Sequence, residues 1–232
     1  MSDSLADFFT ALRMADTNDA ENLQTFFRKF AADYASARQT RAATTPHFDM
    51  LRVFGLQLAE LRHSDALAWF LNPTMEHEQG VLFANTFLRL FSEVQLSHEN
   101  YEVKRERHGR IDVSIYARGQ FAVFIENKVR HTERDGQVED MIDNMTSLCK
   151  DLEIPREHRF AIFLTDLGVN PVSGPKKNTE EFLLANLHSI ARVDLFEAFR
   201  EALFQQKNHS AILISFLDSY LYSIRRIRTQ LS

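Results

Sequence analysis

Cysteine is nearly absent: Cys149 stands alone in 232 residues, which excludes an intrachain disulfide and any cysteine-rich zinc site. A reducing, cytoplasmic compartment is the expectation that follows. Glycine and proline are sparse, at 7 and 5, and there is no internal repeat or low-complexity tract, so fibrous and extensively disordered classes are excluded. No apolar run is long enough to span a bilayer, and the first seven residues lack the basic and apolar regions of a signal peptide. The sequence therefore reads as soluble, with no membrane partner. A formal net charge of -5 argues against diffuse binding of polyanions, while leaving room for local basic patches that engage phosphates.

What is present is an ordinary globular balance, 44% apolar and 25% charged, with 20 phenylalanines that read as core filling. Residues 1–45 read as a helical extension, with Leu5, Phe8, Phe9 and Leu12 on one stripe and Leu23, Phe26, Phe27, Phe30 and Tyr34 on another. A polar stretch ending in Pro46 separates it from a second domain, residues 46–232.

In that domain Leu51, Phe54, Leu58 and Leu61 predict a helix, and Ser64 is placed to cap a second one that Asn72-Pro73 ends. A helix is expected from about Gly80 to Phe91, a strand from Tyr101 to Arg107, and a turn at His108-Gly109. Val138, Met141, Ile142, Met145, Leu148 and Cys149 recur at helical spacing. A buried strand over Phe160 to Thr165, an irregular loop over Gly168 to Asn178, and two closing helices complete the chain. The fold class is α/β, of an α+β-like kind: a small mixed sheet of about four strands flanked by helices, with helical additions at both ends.

Between these elements lies the stretch from Arg110 to Lys128. Ile111, Val113 and Ile115 alternate with Asp112, Ser114 and Tyr116, and Val123 and Ile125 alternate with Phe124, Glu126 and Lys128. Period two puts Glu126 and Lys128 on one face, roughly 6.7 Å apart along the strand. Whether Asp112 joins them depends on the turn, because only an even sum of paired residue numbers places it on that face. A loop of Ala117, Arg118 and Gly119, with Gly119 left-handed in a type I turn plus G1 bulge, pairs Asp112 with Phe124 and meets the condition. Two convergent carboxylates inside apolar strands repel unless a cation neutralises them, so the pattern invites a hard divalent ion.

Asp112, thirteen intervening residues, then Glu126-Asn127-Lys128 at the end of an apolar strand resembles the signature of the PD-(D/E)XK nuclease superfamily, which has a restriction-endonuclease-like core. One branch of that superfamily looks like Glu-x-x-His-Ser-x-x-Leu-Ala-Trp-Leu-Leu-x-Pro upstream. Here Glu60, His63, Ser64, Leu67, Ala68, Trp69, Leu71 and Pro73 stand in that order, with Phe70 at one leucine position.

The resemblance implies Asp112, Glu126 and Glu60 as ligands of Mg²⁺ or Mn²⁺, with the Asn127 carbonyl as a further one, and Lys128 beside the attacking water. Asp65 is the alternative to Glu60. Gln137 matches a glutamine that relatives place at the start of the next helix, facing the site, whereas Met141 stands where they carry a tyrosine. His63 either supports the helix junction or touches substrate, and His77 reads as structural.

Lys104, Arg105, Arg107 and Arg110 form one basic cluster, and Arg130, His131 and Arg134 another, with Lys176 and Lys177 a weaker pair; Arg110 and Arg130 are the closest in sequence to the site. The expected function is a metal-dependent nuclease acting on nucleic acid, DNA in particular, as an endonuclease in a prokaryotic defence or repair setting. The competing expectation is a catalytically silent nuclease fold serving as a nucleic-acid-binding or scaffold subunit. Helical segments, residues 1–45 above all, are the candidates for a homodimer or protein-partner contact.

Overall fold

The computed structural model describes residues 29, 49–107, 111–129, 136–171, 186–207 and 209–231. The chain divides into two units, residues 1–47 and 48–232, and the elements below belong to the second. Apart from Lys29, the expected helices over residues 1–45 lie outside the described residues, as do the turn at His108-Gly109 and most of the loop before Asn178.

After a single turn, α1 (Met50–Val53), come helices α2 (Glu60–Leu71) and α3 (Leu82–Leu88). The antiparallel strands β1 (Glu102–Arg107), β2 (Ile111–Ala117) and β3 (Phe121–Lys128) follow. Helix α4 (Gln137–Asp151) then crosses over to β4 (Arg159–Thr165), which lies parallel to β3. A further strand, β5 (Leu187–Ala191), pairs parallel with β4 and runs straight into α5 (Arg192–Phe204), and α6 (Ala211–Leu231) closes the chain. The sheet is mixed, in the order β1-β2-β3-β4-β5. It has one strand more than the sequence predicts. Leu187-His-Ser-Ile-Ala191 is a short, half-buried edge strand in which His188 and Ser189 blur the apolar signal.

Alternation along β3 explains how the layers assemble. Phe121, Val123 and Ile125 face a core shared with α2, α3, α5 and α6, while Ala122 and Phe124 face α4, whose stripe of Val138, Met141, Ile142, Met145 and Cys149 covers them. The larger core is built on phenylalanine. Phe70 meets Phe83 at 5.0 Å and Phe196 at 5.7 Å between ring centroids, both edge to face. Trp69, beside it on α2, meets His77 edge to face at 5.0 Å, and its indole N–H donates to Glu76 Oε2 at 3.0 Å.

Two predicted helix features change. The stripe Leu51, Phe54, Leu58 and Leu61 is not a buried face: only Leu51 is buried, because Gly55, at φ +65°, follows the end of α1 and the chain turns. Ser64 is not a cap but lies within α2, where its hydroxyl donates to the Glu60 carbonyl at 3.0 Å.

The β2–β3 turn also differs in detail. Ala117 pairs with Phe121, so the loop is Arg118, Gly119 and Gln120, one residue later than expected. Gln120 N–H donates to the Ala117 carbonyl at 3.0 Å with Gly119 at φ +67° in the third position, a type II arrangement rather than type I with a bulge. Nothing lies within 4 Å of where a Cβ on Gly119 would be, so Gly119→Ala should cost only the left-handed penalty, about 1 kcal/mol. Urea titration should show that loss with an unchanged slope.

Candidate active site

Three helices begin around the carboxyl end of β3: Glu60 opens α2, Gln137 opens α4 and Arg192 opens α5. Strand β3 is central in the sheet, so its last residues are held from both sides. The ladder to β2 runs as far as Val113 opposite Ile125, and one further step in that register sets Asp112 opposite Glu126. Asp112 therefore shares the face of Glu126 as its parity requires, two residues away from the expected partner Phe124, which instead faces Ser114. Where the main-chain ladder stops, the Asp112 carboxylate takes over and accepts the Asn127 N–H at 2.8 Å.

Lys128 reaches back along the same face. Its Nζ lies 2.8 Å from Glu126 Oε1 and 3.9 Å from Glu60 Oε2, while Glu60 Oε1 accepts the Val129 N–H at 3.1 Å. Gln137 donates its side-chain amide to Glu126 Oε1. Glu126 is 5% exposed, and burial together with the charge of Asp112 pushes its carboxyl up to about 7 despite the opposing hydrogen bond from Lys128. Burial likewise raises Asp112, against the pull of the Asn127 N–H and the Lys128 charge. Burial alone would discharge Lys128, but its hydrogen bond to Glu126 and the charges of Glu126, Glu60 and Asp112 outweigh it, so its amine stands above the ordinary lysine value.

Asp112 and Glu126 thus present an oxygen-only donor pair whose mutual repulsion a hard cation would relieve. Among the described residues no three His, Cys, Asp or Glu side chains converge closely enough to cage an ion. The donor set fits Mg²⁺ all the same, since this ion is commonly held by one or two carboxylates, with water and substrate phosphate completing its shell. Glu60 lies beside this pair, with one oxygen accepting from Val129 and the other toward Lys128.

The remaining candidates divide by location. Asn127 is fully buried, its side chain donating to Ser64 Oγ at 2.8 Å and accepting from Arg192 at 2.6 Å, which leaves only its main chain for a ligand role. His63 is 1% exposed and does not reach solvent. Its ring nitrogens are engaged by the Tyr220 hydroxyl at 2.6 Å and the Gln57 carbonyl at 3.1 Å, which ties α2 to α6. Asp65 lies on the surface, 3.0 Å from both Arg62 and Arg105. Arg105 also donates to the Asp112 and Leu61 carbonyls and so straps α2 to β2. His77 is buried, with Nε2 at 3.0 Å from the Asn72 carbonyl. Arg110, Arg130, His131, Arg134, Lys176 and Lys177 lie outside the described residues.

Arg192 and Asp166 were not legible in the sequence. The guanidinium of Arg192 donates to Asp166 Oδ1, to Asn127 Oδ1 and, at 3.0 Å, to the Lys128 carbonyl. The one hint is an arginine directly before an apolar helical stripe, with Asp166 directly after the buried strand β4, and neither residue on its own points to the pairing.

A three-stranded antiparallel unit, a crossover helix and parallel strands, with Glu126 at the end of the central strand and Asp112 beside it on β2, define a restriction-endonuclease-like core. A sequence model of the PD-(D/E)XK nuclease superfamily matches residues 48–230, and the chain belongs to that superfamily. No curated protein and no solved structure matches it in the corresponding comparisons. No described helix is long and apolar enough to cross a membrane.

Proposed function

We propose that this chain is a Mg²⁺- or Mn²⁺-dependent nuclease that hydrolyses phosphodiester bonds in DNA as an endonuclease. The observation that carries the reading is the Lys128 ammonium 2.8 Å from Glu126, on the face that Asp112 enters from the neighbouring strand. Asp112 and Glu126 would hold the metal, whose chemistry there would be to lower the pKa of a water and offset charge on the phosphate. Lys128 orients that water and balances charge developing on phosphorus, Glu60 steadies Lys128, and Gln137 fixes the rotamer of Glu126. Arg110 and Arg130, adjacent in sequence to the ends of β2 and β3, are the proposed phosphate contacts. A cytoplasmic defence or repair role, which rests on family analogy, is part of the same proposal, as is contact with a second copy or a protein partner through helical segments, residues 1–45 above all, which rests on their apolar stripes.

The test is incubation of the purified protein with supercoiled plasmid, linear duplex, single-stranded DNA and RNA, in Mg²⁺, Mn²⁺ or EDTA, beside calorimetric titration with Mn²⁺. Nicked and linear plasmid in either metal and none in EDTA is the expected result. Failure to cut any substrate in either metal, with no heat of Mn²⁺ binding, would leave the silent scaffold as the better reading.

A further inference from the structure

Arg192 is 0% exposed and occupies the first position of α5, where the helix dipole disfavours a cation. Asp166, 1% exposed, is its counterion. A buried pair of this kind seldom adds net stability, because well-packed apolar residues of similar volume often serve as well or better. What apolar residues could not do is hold particular oxygens. The second arm of the guanidinium grips Asn127 Oδ1 at 2.6 Å and the Lys128 carbonyl at 3.0 Å, and Asn127 in turn grips Ser64 on α2 at 2.8 Å. On the β2 side the main-chain ladder has already ended at Ile125.

We propose that Arg192 is a positioning residue for the site, an inference that rests on the nuclease reading above. Its fork clamps Asn127 and Lys128 from beneath, so that the Lys128 ammonium stays over Glu126, and through Asn127 it ties β3 to the helix that supplies Glu60. Asp166 holds the guanidinium in the plane of both acceptors. Lysine cannot substitute, since a single ammonium lacks the rigid fork needed to serve Asp166, Asn127 and the Lys128 carbonyl together.

Two variants test this. Arg192→Lys keeps a cation against Asp166 and protects the fold, and the double variant Arg192→Met with Asp166→Leu removes the pair as a unit. Measured quantities are the single-turnover rate on plasmid, DNA affinity in EDTA, and amide hydrogen exchange along β2 and β3. The expected result is a rate lowered about 100-fold, the loss that a misplacement of about 1 Å can produce, with DNA affinity within about threefold. Exchange at Asn127 to Val129 should quicken at least about tenfold while Val113 to Tyr116 stay protected. Wild-type rate in a folded variant, or a lower rate with unchanged exchange at Asn127 to Val129, would overturn the proposal. An inert wild-type protein would count against the nuclease reading alone, because local exchange still decides whether Arg192 clamps the strand.

Discussion

Lys128→Met is expected to slow single-turnover plasmid cleavage by about 10³-fold, at the upper end of what removing one preorganised charge-stabilising donor costs. Methionine fills the same mostly buried slot and retains the contacts of the aliphatic stem, so the change isolates the ammonium. That ammonium is held charged by Glu126, Glu60 and Asp112, which makes it a fixed positive centre and not a proton shuttle at neutral pH. The loss should therefore appear in the chemical step, with DNA affinity in EDTA within about threefold. Asp112→Asn is the companion experiment. Its amide oxygen can still accept the Asn127 N–H, so the strand end keeps its cap while the charge is removed. Both variants retaining cleavage within tenfold of wild type would eliminate Asp112 and Lys128 as the reacting groups.

The second large effect concerns stability without metal. Glu126→Gln should raise the unfolding free energy at pH 8 by up to about 3 kcal/mol. The sign follows from the direction of the shift. The Glu126 carboxyl is pushed up from its ordinary 4.5 to about 7, so the folded state holds a proton that the unfolded chain releases. That contribution is fully present below about 4.5 and is lost as pH rises through about 7. Glutamine escapes the loss.

His63 acts with the opposite sign. Burial, aided by the charge of Arg192, lowers it from 6.5 to about 4, so its contribution is present above 6.5 and is lost as pH falls through about 4. The two windows overlap, which predicts a nearly flat wild-type stability between about pH 4.5 and 6.5 and a curve for Glu126→Gln that climbs with pH across it. Urea titrations of both proteins at pH 5, 6.5 and 8 in EDTA settle the matter; parallel curves would sink the argument. Added Mg²⁺ should raise the wild-type midpoint at pH 8 and leave Glu126→Gln nearly unmoved, as expected of a ligand that binds the native state only.

Strict alternation in β2 and β3 makes the face shared by Asp112, Glu126 and Lys128 readable from the sequence, because parity decides the face even when the paired residue is wrong by two. The helical stripe of α4 and the buried run of β4 were readable for the same reason: each presents one period without interruption. Strand β5 was not, since an edge strand of five residues is only half buried and carries little pattern. Leu58 and Leu61 misled because helical spacing says nothing of whether a face finds a partner, and both remain exposed. The clamp beneath the site escaped detection for a different reason. Arg192 lies 64 residues from Lys128 in the chain, and a charged side chain announces its own burial only through tertiary contacts.

The lone tryptophan gives the molecule an optical reporter that needs no label. Trp69 stands on the helix that begins with Glu60, about 13 Å along its axis, with its indole tethered to Glu76 and its ring edge-on to His77. Emission from this one fluorophore should register any repacking of that helix, and acid quenching by protonated His77 should mark when the loop beside it loosens. Any rearrangement of α2 at its Glu60 end can then be sought by ultraviolet excitation of the unmodified chain.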